Sequence, residues 1–297
     1  MLAASAAFLL LAPAGLFALP LAALLMTSQP HRTRVALITI VAGGFSLAWL
    51  LQPGDLPDQV LRAGAVIATA AFLPVTFYTR ASVTHRVCLA ATGATVSVML
   101  LLLPIGRSWQ EVQWWIEHRM GFIARLMMRS TWGRESSVDV RQIADILEVT
   151  VRFVANYHIA LMTLQLIAGL ALATALYQRL AVKPRGIQPG KFRDFCFTEH
   201  LGWPAMAALI VVLVPRLSAA RLGASNVLLV LGTLYALRGL AVAATGLQQL
   251  GSGLITVLSV VTACLMLPVA TIGAILLGIV DTSFDLRRRW QPPPAGG

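Results

Sequence analysis

The chain has 297 residues, of which 58% are hydrophobic and only 12% are charged. Soluble domains carry about 25% charged residues, because their surface must be wetted. This composition excludes an ordinary soluble domain and predicts an all-α protein with a lipid bilayer as its principal partner. The net charge is +11, with the basic residues in short clusters between apolar runs. That pattern is typical of loops beside a membrane, and we expect no nucleic-acid partner.

The hydrophobic pattern predicts a polytopic integral membrane helix bundle with about eight apolar segments. A helix needs about 20 residues to cross the hydrocarbon core of a bilayer. We expect a single transmembrane domain over residues 1–290 and a disordered tail over 291–297, where the sequence is rich in Pro and Gly. The predicted spans are 4–27, 35–51, 62–79, 87–104, 151–177, 203–220, 225–247 and 254–280.

The distribution of Lys and Arg predicts the orientation of the chain. Basic residues concentrate in loops 28–34, 79–87 and 178–200, whereas loop 52–62 carries only Arg62. We therefore expect the three basic loops in the cytoplasm and segment 105–150 outside. The first basic residue is Arg32, so we do not expect a cleavable signal peptide.

The last apolar segment allows two interpretations. As a single tilted span, 254–280 would place the basic triplet 287–289 outside, against the positive-inside rule. As a re-entrant hairpin or a helix broken near Pro268, it would return the triplet to the cytoplasm. Both interpretations stay open at the level of sequence.

Segment 105–150 is not a span, and it predicts an amphipathic helical insert. From Trp109 to Met127, apolar residues recur at steps of three and four, with polar residues on the other faces. A second short helix is expected from about Asp139, separate from the span at 151–177. The insert is interpreted either as a lid or partner-docking element or as a hairpin lying on the bilayer. Four of the seven Trp lie in it, where indole suits the headgroup boundary: Trp109, Trp114, Trp115 and Trp132.

Ionisable residues inside spans are costly, by about 2.5–3.5 kcal/mol at the centre of a bilayer. Arg238 lies within the apolar run 225–247, where it either snorkels to the surface or forms an ion pair. Asp281, which ends the last apolar run, is the candidate partner. On the topology above, this pair requires Asp281 on the cytoplasmic side, which only the re-entrant interpretation provides.

A second polar group gives the candidate ligand-binding residues. Asn156 and His158 lie near the outer boundary of the fifth span, and Asn226 lies at the outer start of the seventh. Each is interpreted either as a ligand contact or as a hydrogen-bonded packing residue. The sequence has no catalytic, metal-binding, phosphate-binding or dinucleotide-binding motif, so we predict no enzyme activity, no metal and no cofactor.

Three stretches in the C-terminal half carry a family resemblance. They are "KFRDFCFTEHLGWP" at 191–204, "GASNVLLVLGTLYALRGLAV" at 223–242 and "LGIVDTSFDLRRR" at 277–289. Together they resemble the YybS-like bacterial membrane proteins, the family DUF2232. The resemblance implies a multi-pass protein of the bacterial inner membrane with no established activity. The family is distantly similar to the substrate-binding subunits of energy-coupling-factor vitamin transporters.

Two functions follow as hypotheses. The first is a small-solute-binding subunit of a transporter, suggested by the resemblance and by polar groups at outer membrane depth. The alternative is a non-enzymatic interaction or assembly protein, which would bind a membrane protein partner through insert 105–150 or the basic loop 178–195.

Overall fold

The computed structural model is helical, and its chain divides into two compact units, 1–188 and 189–297. The single transmembrane domain predicted over 1–290 stays a prediction. The structure describes residues 13–28, 33–79, 81–104, 106, 108–129, 140–184, 190, 192–197, 199–249 and 266–286. The predicted tail 291–297, the basic triplet 287–289, residues 4–12 of the first span and 254–265 of the last lie outside these ranges.

The first unit contains six described helices: α1 (Gly15–Thr27), α2 (Thr33–Leu51), α3 (Leu56–Tyr78), α4 (Val83–Leu102), α5 (Trp109–Arg129) and α6 (Val140–Leu180). The second contains three: α7 (Gly202–Leu213), α8 (Arg221–Gln249) and α9 (Leu267–Phe284). In the described part of the chain, six helical stretches are long and apolar enough to cross a membrane, and α1 and α7 are shorter apolar helices. The all-α fold with about eight apolar segments is therefore confirmed.

Helix α6 is the centre of the first unit, where it packs against α1, α4 and α5. Gly169 lets α6 approach α1 so closely that a Cβ atom there would lie 2.7 Å from the carbonyl oxygen of Leu16. The hydroxyl groups of Thr95 on α4 and Thr163 on α6 hydrogen-bond at 3.0 Å in the buried interface. Small residues and hydroxyl pairs are what bring helices together in lipid, where burial of apolar surface gives no driving force.

Two sequence predictions are corrected by the helix bounds. The short helix expected from Asp139 is not separate from the fifth span, because α6 runs without a break over Val140–Leu180. Such a helix is about 60 Å long, twice the thickness of the hydrocarbon core. The predicted span 203–220 is interrupted, since α7 ends at Leu213 and a 3₁₀ turn follows from Pro215. Proline disfavours helical backbone in the preceding residue, and Val214 is extended.

The amphipathic helix predicted from Trp109 is present as α5, and its apolar stripe faces the protein. Val112 is buried in the hydrophobic core of the first unit, and Trp109 and Ile116 pack against that core. Arg119 on α5 forms an ion pair with Asp58 on α3, with 3.0 Å between Nη1 and Oδ2. Helix α5 is thus docked against helices α3 and α6.

The last described helix, α9, begins at Leu267, with Pro268 in its first turn. Proline is favoured there because the missing N–H would have no helical partner. Residues 254–265 are not described, so the choice between a single span and a re-entrant segment stays a prediction.

Helices α8 and α9 meet backbone to backbone in the second unit. An ideal Cβ atom on Gly239 would overlap the carbonyl oxygen of Ala274, and one on Gly278 would overlap that of Tyr235. Glycine is required at these two positions because any side chain would force the helices apart. Elsewhere on the same helices, Gly223 and Gly273 have nothing within 4 Å of such a Cβ atom.

We expect Gly239→Ala and Gly278→Ala each to lower the free energy of unfolding, by about 1–3 kcal/mol or more, because the added methyl overpacks the contact. Gly223→Ala and Gly273→Ala are the matched controls, and both should leave stability unchanged or slightly raised. Thermal unfolding of the purified variants in detergent measures the difference. Equal melting temperatures for the Gly278 and Gly273 variants would contradict this packing.

Candidate functional site

The candidate site lies in the first unit, where Trp109 at the start of α5 meets His158 on α6. The two rings are stacked, with centroids 4.5 Å apart and planes 5° from parallel. His158 is 8% exposed, and its Nδ1 atom lies 2.6 Å from the carbonyl oxygen of Ala155. A carbonyl only accepts, so Nδ1 must carry a hydrogen atom, and in the neutral ring Nε2 is then an acceptor.

One nitrogen in each ring has no hydrogen-bond partner within the described ranges: the single nitrogen of the indole and the second nitrogen of the imidazole. The Nε2 atom of His158 and the Nε1 atom of Trp109 are both buried and both unsatisfied. An unpaired buried polar group costs about 1–3 kcal/mol, so folded proteins contain few of them. The stack therefore places one unused donor, the indole N–H, and one unused acceptor, the imidazole nitrogen, in the same part of the interface between α5 and α6.

A hydrogen-bonded amide pair connects the same two helices. The Nε2 atom of Gln113 donates to Oδ1 of Asn156 at 2.8 Å and to Oε1 of Glu117 at 3.3 Å. Gln113 follows Trp109 by one helical turn, and Asn156 precedes His158 by two residues. Two of the three candidate ligand contacts from the sequence, Asn156 and His158, thus lie at one helix interface.

Trp109 and Gln113 were not singled out as site residues from the sequence. The available signal was the apolar stripe of α5, which begins at Trp109 and predicts that this residue faces inward. Its pairing with His158, 49 positions later in the chain, depends on how α5 docks against α6, and the periodicity of one helix does not contain that information.

Asn226, the third candidate, belongs to the second unit. It is 3% exposed, and its Nδ2 atom donates to the carbonyl oxygen of Leu222 one turn earlier on α8. A ligand-binding role for Asn226 stays a prediction. No group of three or more His, Cys, Asp and Glu side chains that could hold a metal ion occurs among the residues that the structure describes.

The second unit contains the ion pair between Arg238 and Asp281. Nε of Arg238 donates to Oδ2 of Asp281 at 2.8 Å, and Nη2 donates to the Asp281 backbone carbonyl at 3.2 Å. The side chains are 5% and 0% exposed. A third donor, Nη1, bonds the carbonyl of Phe197 at 3.2 Å, and the guanidinium lies 5.2 Å from the centroid of the Phe197 ring. Arg238 therefore joins α8 to α9 and to the segment before α7.

Removing one member of this pair should leave an uncompensated buried charge and cost about 3–5 kcal/mol, whereas replacing both members with apolar residues is often tolerated. We expect Arg238→Met and Asp281→Leu each to destabilise the protein strongly and the double variant to recover most of the loss. Thermal unfolding of the two single variants and the double variant gives the coupling energy.

The exposed pair Arg152–Glu148 supplies the control, since its side chains are 72% and 62% exposed. Arg152→Met should change stability by no more than about 1 kcal/mol. If the double variant Arg238→Met/Asp281→Leu lost as much stability as the sum of the two single variants, the pair would not be the reason that these charges are buried together.

Comparison with known proteins identifies the family of the chain, without an activity, a ligand or a partner. No curated protein and no solved structure matches the chain. The distant similarity to the substrate-binding subunits of energy-coupling-factor transporters therefore has no support from these comparisons. The family model described as "Predicted membrane protein (DUF2232)" matches residues 1–282, which extends the resemblance from the C-terminal half to almost the whole chain. The chain belongs to the DUF2232 family of membrane proteins.

Proposed function

We propose that the chain is a non-enzymatic, small-solute-binding protein of the bacterial cytoplasmic membrane, which serves as the binding subunit of a transporter. The ligand would lie between helices α5 and α6, beside Trp109 and His158. The observation that carries this proposal is the pair of buried ring nitrogens without hydrogen-bond partners in the described part of the chain. Functional sites are where buried polar groups without a partner in the protein are expected, because a ligand supplies the missing hydrogen bond.

The chemistry of the two nitrogens indicates the class of ligand. The indole N–H only donates, and the Nε2 atom of the neutral His158 ring accepts, so a matching ligand presents an acceptor and a donor together. Amides, lactams and nucleobases have such an edge. A carboxylate or a fully ionised phosphate offers only acceptors and would leave Nε2 of His158 unsatisfied. Neutral polar solutes therefore fit this interface better than anions.

The docked position of α5 supports the same proposal. Helix α5 is not among the helical stretches that qualify as membrane spans, yet its apolar stripe packs on the core of the first unit. The ion pair from Arg119 to Asp58 is about half exposed, with a side-chain exposure of 49% for Arg119 and 35% for Asp58. Such a pair contributes little stability, about 0–1 kcal/mol. On this proposal, α5 would close over the ligand and open to release it.

A neutral ligand with a donor and an acceptor should raise the melting temperature of the purified protein, because it binds only the folded state. The test compares amides, lactams, nucleobases and vitamins with simple carboxylates, and it includes mass spectrometry of small molecules that copurify. Trp109→Phe removes the N–H and keeps an aromatic ring, so it should abolish the ligand-induced shift; its smaller ring also lowers the stability of the ligand-free protein, so each shift is measured against the same variant without ligand.

Trp114→Phe is the matched control on the same helix, because Trp114 is 50% exposed and stacks on His118 instead. Its ligand-induced shift should equal that of the unchanged protein. The proposal fails if no compound stabilises the protein and none copurifies, or if Trp109→Phe retains the full shift.

The second candidate function is an interaction or assembly role through α5. Its support is an exposed apolar set on the side of α5 away from the core, and such patches are typical of binding surfaces. Phe122 and Leu126 are 57% and 51% exposed. On this alternative, a photo-crosslinking residue at Phe122 should capture one discrete membrane protein in native membranes, and the same probe at Leu100, which is 60% exposed on α4, should not. Crosslinks to lipid alone at both positions would count against it.

A further inference from the structure

Arg86, in the first turn of α4, is a buried cation without a buried anion. It is 1% exposed and forms no ion pair within the described ranges. Nε donates to the carbonyl of Ala81 at 2.8 Å, and Nη1 donates to the carbonyl of Thr76 at 3.1 Å. The third nitrogen, Nη2, is buried and has no partner among the described residues.

Thr76, in the last turn of α3, presents a second unsatisfied group beside the first. Among the described residues, the other five buried threonines bond the backbone carbonyl four residues earlier, as Thr69 does to Ala65 at 2.7 Å. The set is Thr39, Thr69, Thr95, Thr163 and Thr174. The hydroxyl of Thr76 is buried and makes no hydrogen bond to any described residue. The carbonyl of the same residue accepts from Arg86, so the two unused groups belong to one cluster.

Two backbone carbonyls satisfy Arg86 only in part: that of Thr76 in the last turn of α3 and that of Ala81 in the loop before α4. The end of a helix supplies only a partial negative charge, about half an elementary charge. A buried cation needs a full counter-charge or it costs several kcal/mol. The second unit shows the usual solution, since Arg238 is paired with the carboxylate of Asp281. At Arg86 no described carboxylate takes that place.

We propose that Arg86 and Thr76 bind a phosphate group where α3 ends and α4 begins. A phosphate oxygen would accept from Nη2 of Arg86 and from the Thr76 hydroxyl, and the phosphate charge would neutralise the guanidinium. Arginine and hydroxyl donors are the usual ligands of phosphate. The phosphate could belong to an anionic lipid headgroup, which lies at the depth of helix ends, or to free phosphate. This site is separate from the ring pair at Trp109 and His158.

The experiment measures the melting temperature of the full-length protein with two probes. Protein in micelles of a phosphate-free, uncharged detergent is compared with protein in the same micelles that also contain phosphatidylglycerol or, as the control, a glycosyl diacylglycerol, which has no phosphate. Protein in neutral detergent is compared with and without inorganic phosphate, against chloride at equal ionic strength. We expect phosphatidylglycerol, inorganic phosphate or both to raise the melting temperature, because the anion binds only the folded state. A rise with the lipid alone assigns a headgroup, and a rise with inorganic phosphate assigns a free-anion site.

Thr76→Val deletes the unused hydroxyl and retains the backbone carbonyl that Arg86 bonds, so it should fold normally and lose most of the anion-induced rise. Thr69→Val, on the same helix and also buried, removes a hydroxyl that is already bonded and should keep the rise. Arg86→Lys provides a second variant: the compact ammonium keeps the charge but lacks the planar fork that reaches two carbonyls and an anion together, so the anion-induced rise should be smaller. The proposal is overturned if neither probe raises the melting temperature, or if Thr76→Val responds as Thr69→Val does.

Discussion

The structure depends on one constraint: a polar group in hydrocarbon must find its partner inside the protein. Most of the described polar side chains within the helices obey it locally. Buried threonines bond the carbonyl one turn earlier, as Thr174 does to Leu170. Arg238 obeys it across helices, through Asp281 and the carbonyl of Phe197. The bonds of Arg238, together with the glycine contact between α8 and α9, hold these two helices against each other in a medium that offers no other partners.

Among the described residues, two neighbouring pairs depart from that rule and carry the proposals; Oε1 of Gln178 on α6 is a further buried atom without a described partner. At Trp109 and His158, one donor and one acceptor are buried at a helix interface without described partners. At the second place, the Arg86 cation is buried without a described counter-charge, and the Thr76 hydroxyl is buried without a described hydrogen-bond partner. The two places differ in chemistry, since the first matches a neutral donor and acceptor and the second matches an anion.

Much of the fold could be predicted from sequence, because it follows from composition and periodicity. The apolar segments, the amphipathic helix from Trp109 and the ion pair of Arg238 with Asp281 required only hydrophobic pattern and the cost of a charge in lipid. The break at Pro215 was missed because the mean hydropathy of an apolar run does not detect one helix-breaking residue. The continuity of α6 was missed because hydropathy alone does not tell whether two neighbouring helical segments join. The contacts of His158 depend on docking between helices distant in sequence. The unsatisfied guanidinium nitrogen of Arg86 depends on the geometry of the turn between α3 and α4. Single-helix patterns do not specify either.

If the stacked pair of Trp109 and His158 is a ligand-binding site, a high-resolution structure of the protein extracted gently from its native membrane should reveal the ligand. We expect non-protein density between α5 and α6, within hydrogen-bond distance of Nε1 of Trp109 and Nε2 of His158. Bonds from both nitrogens to residues of the chain itself or to single ordered waters, with no ligand density beside the stack, would rule out a ligand site there.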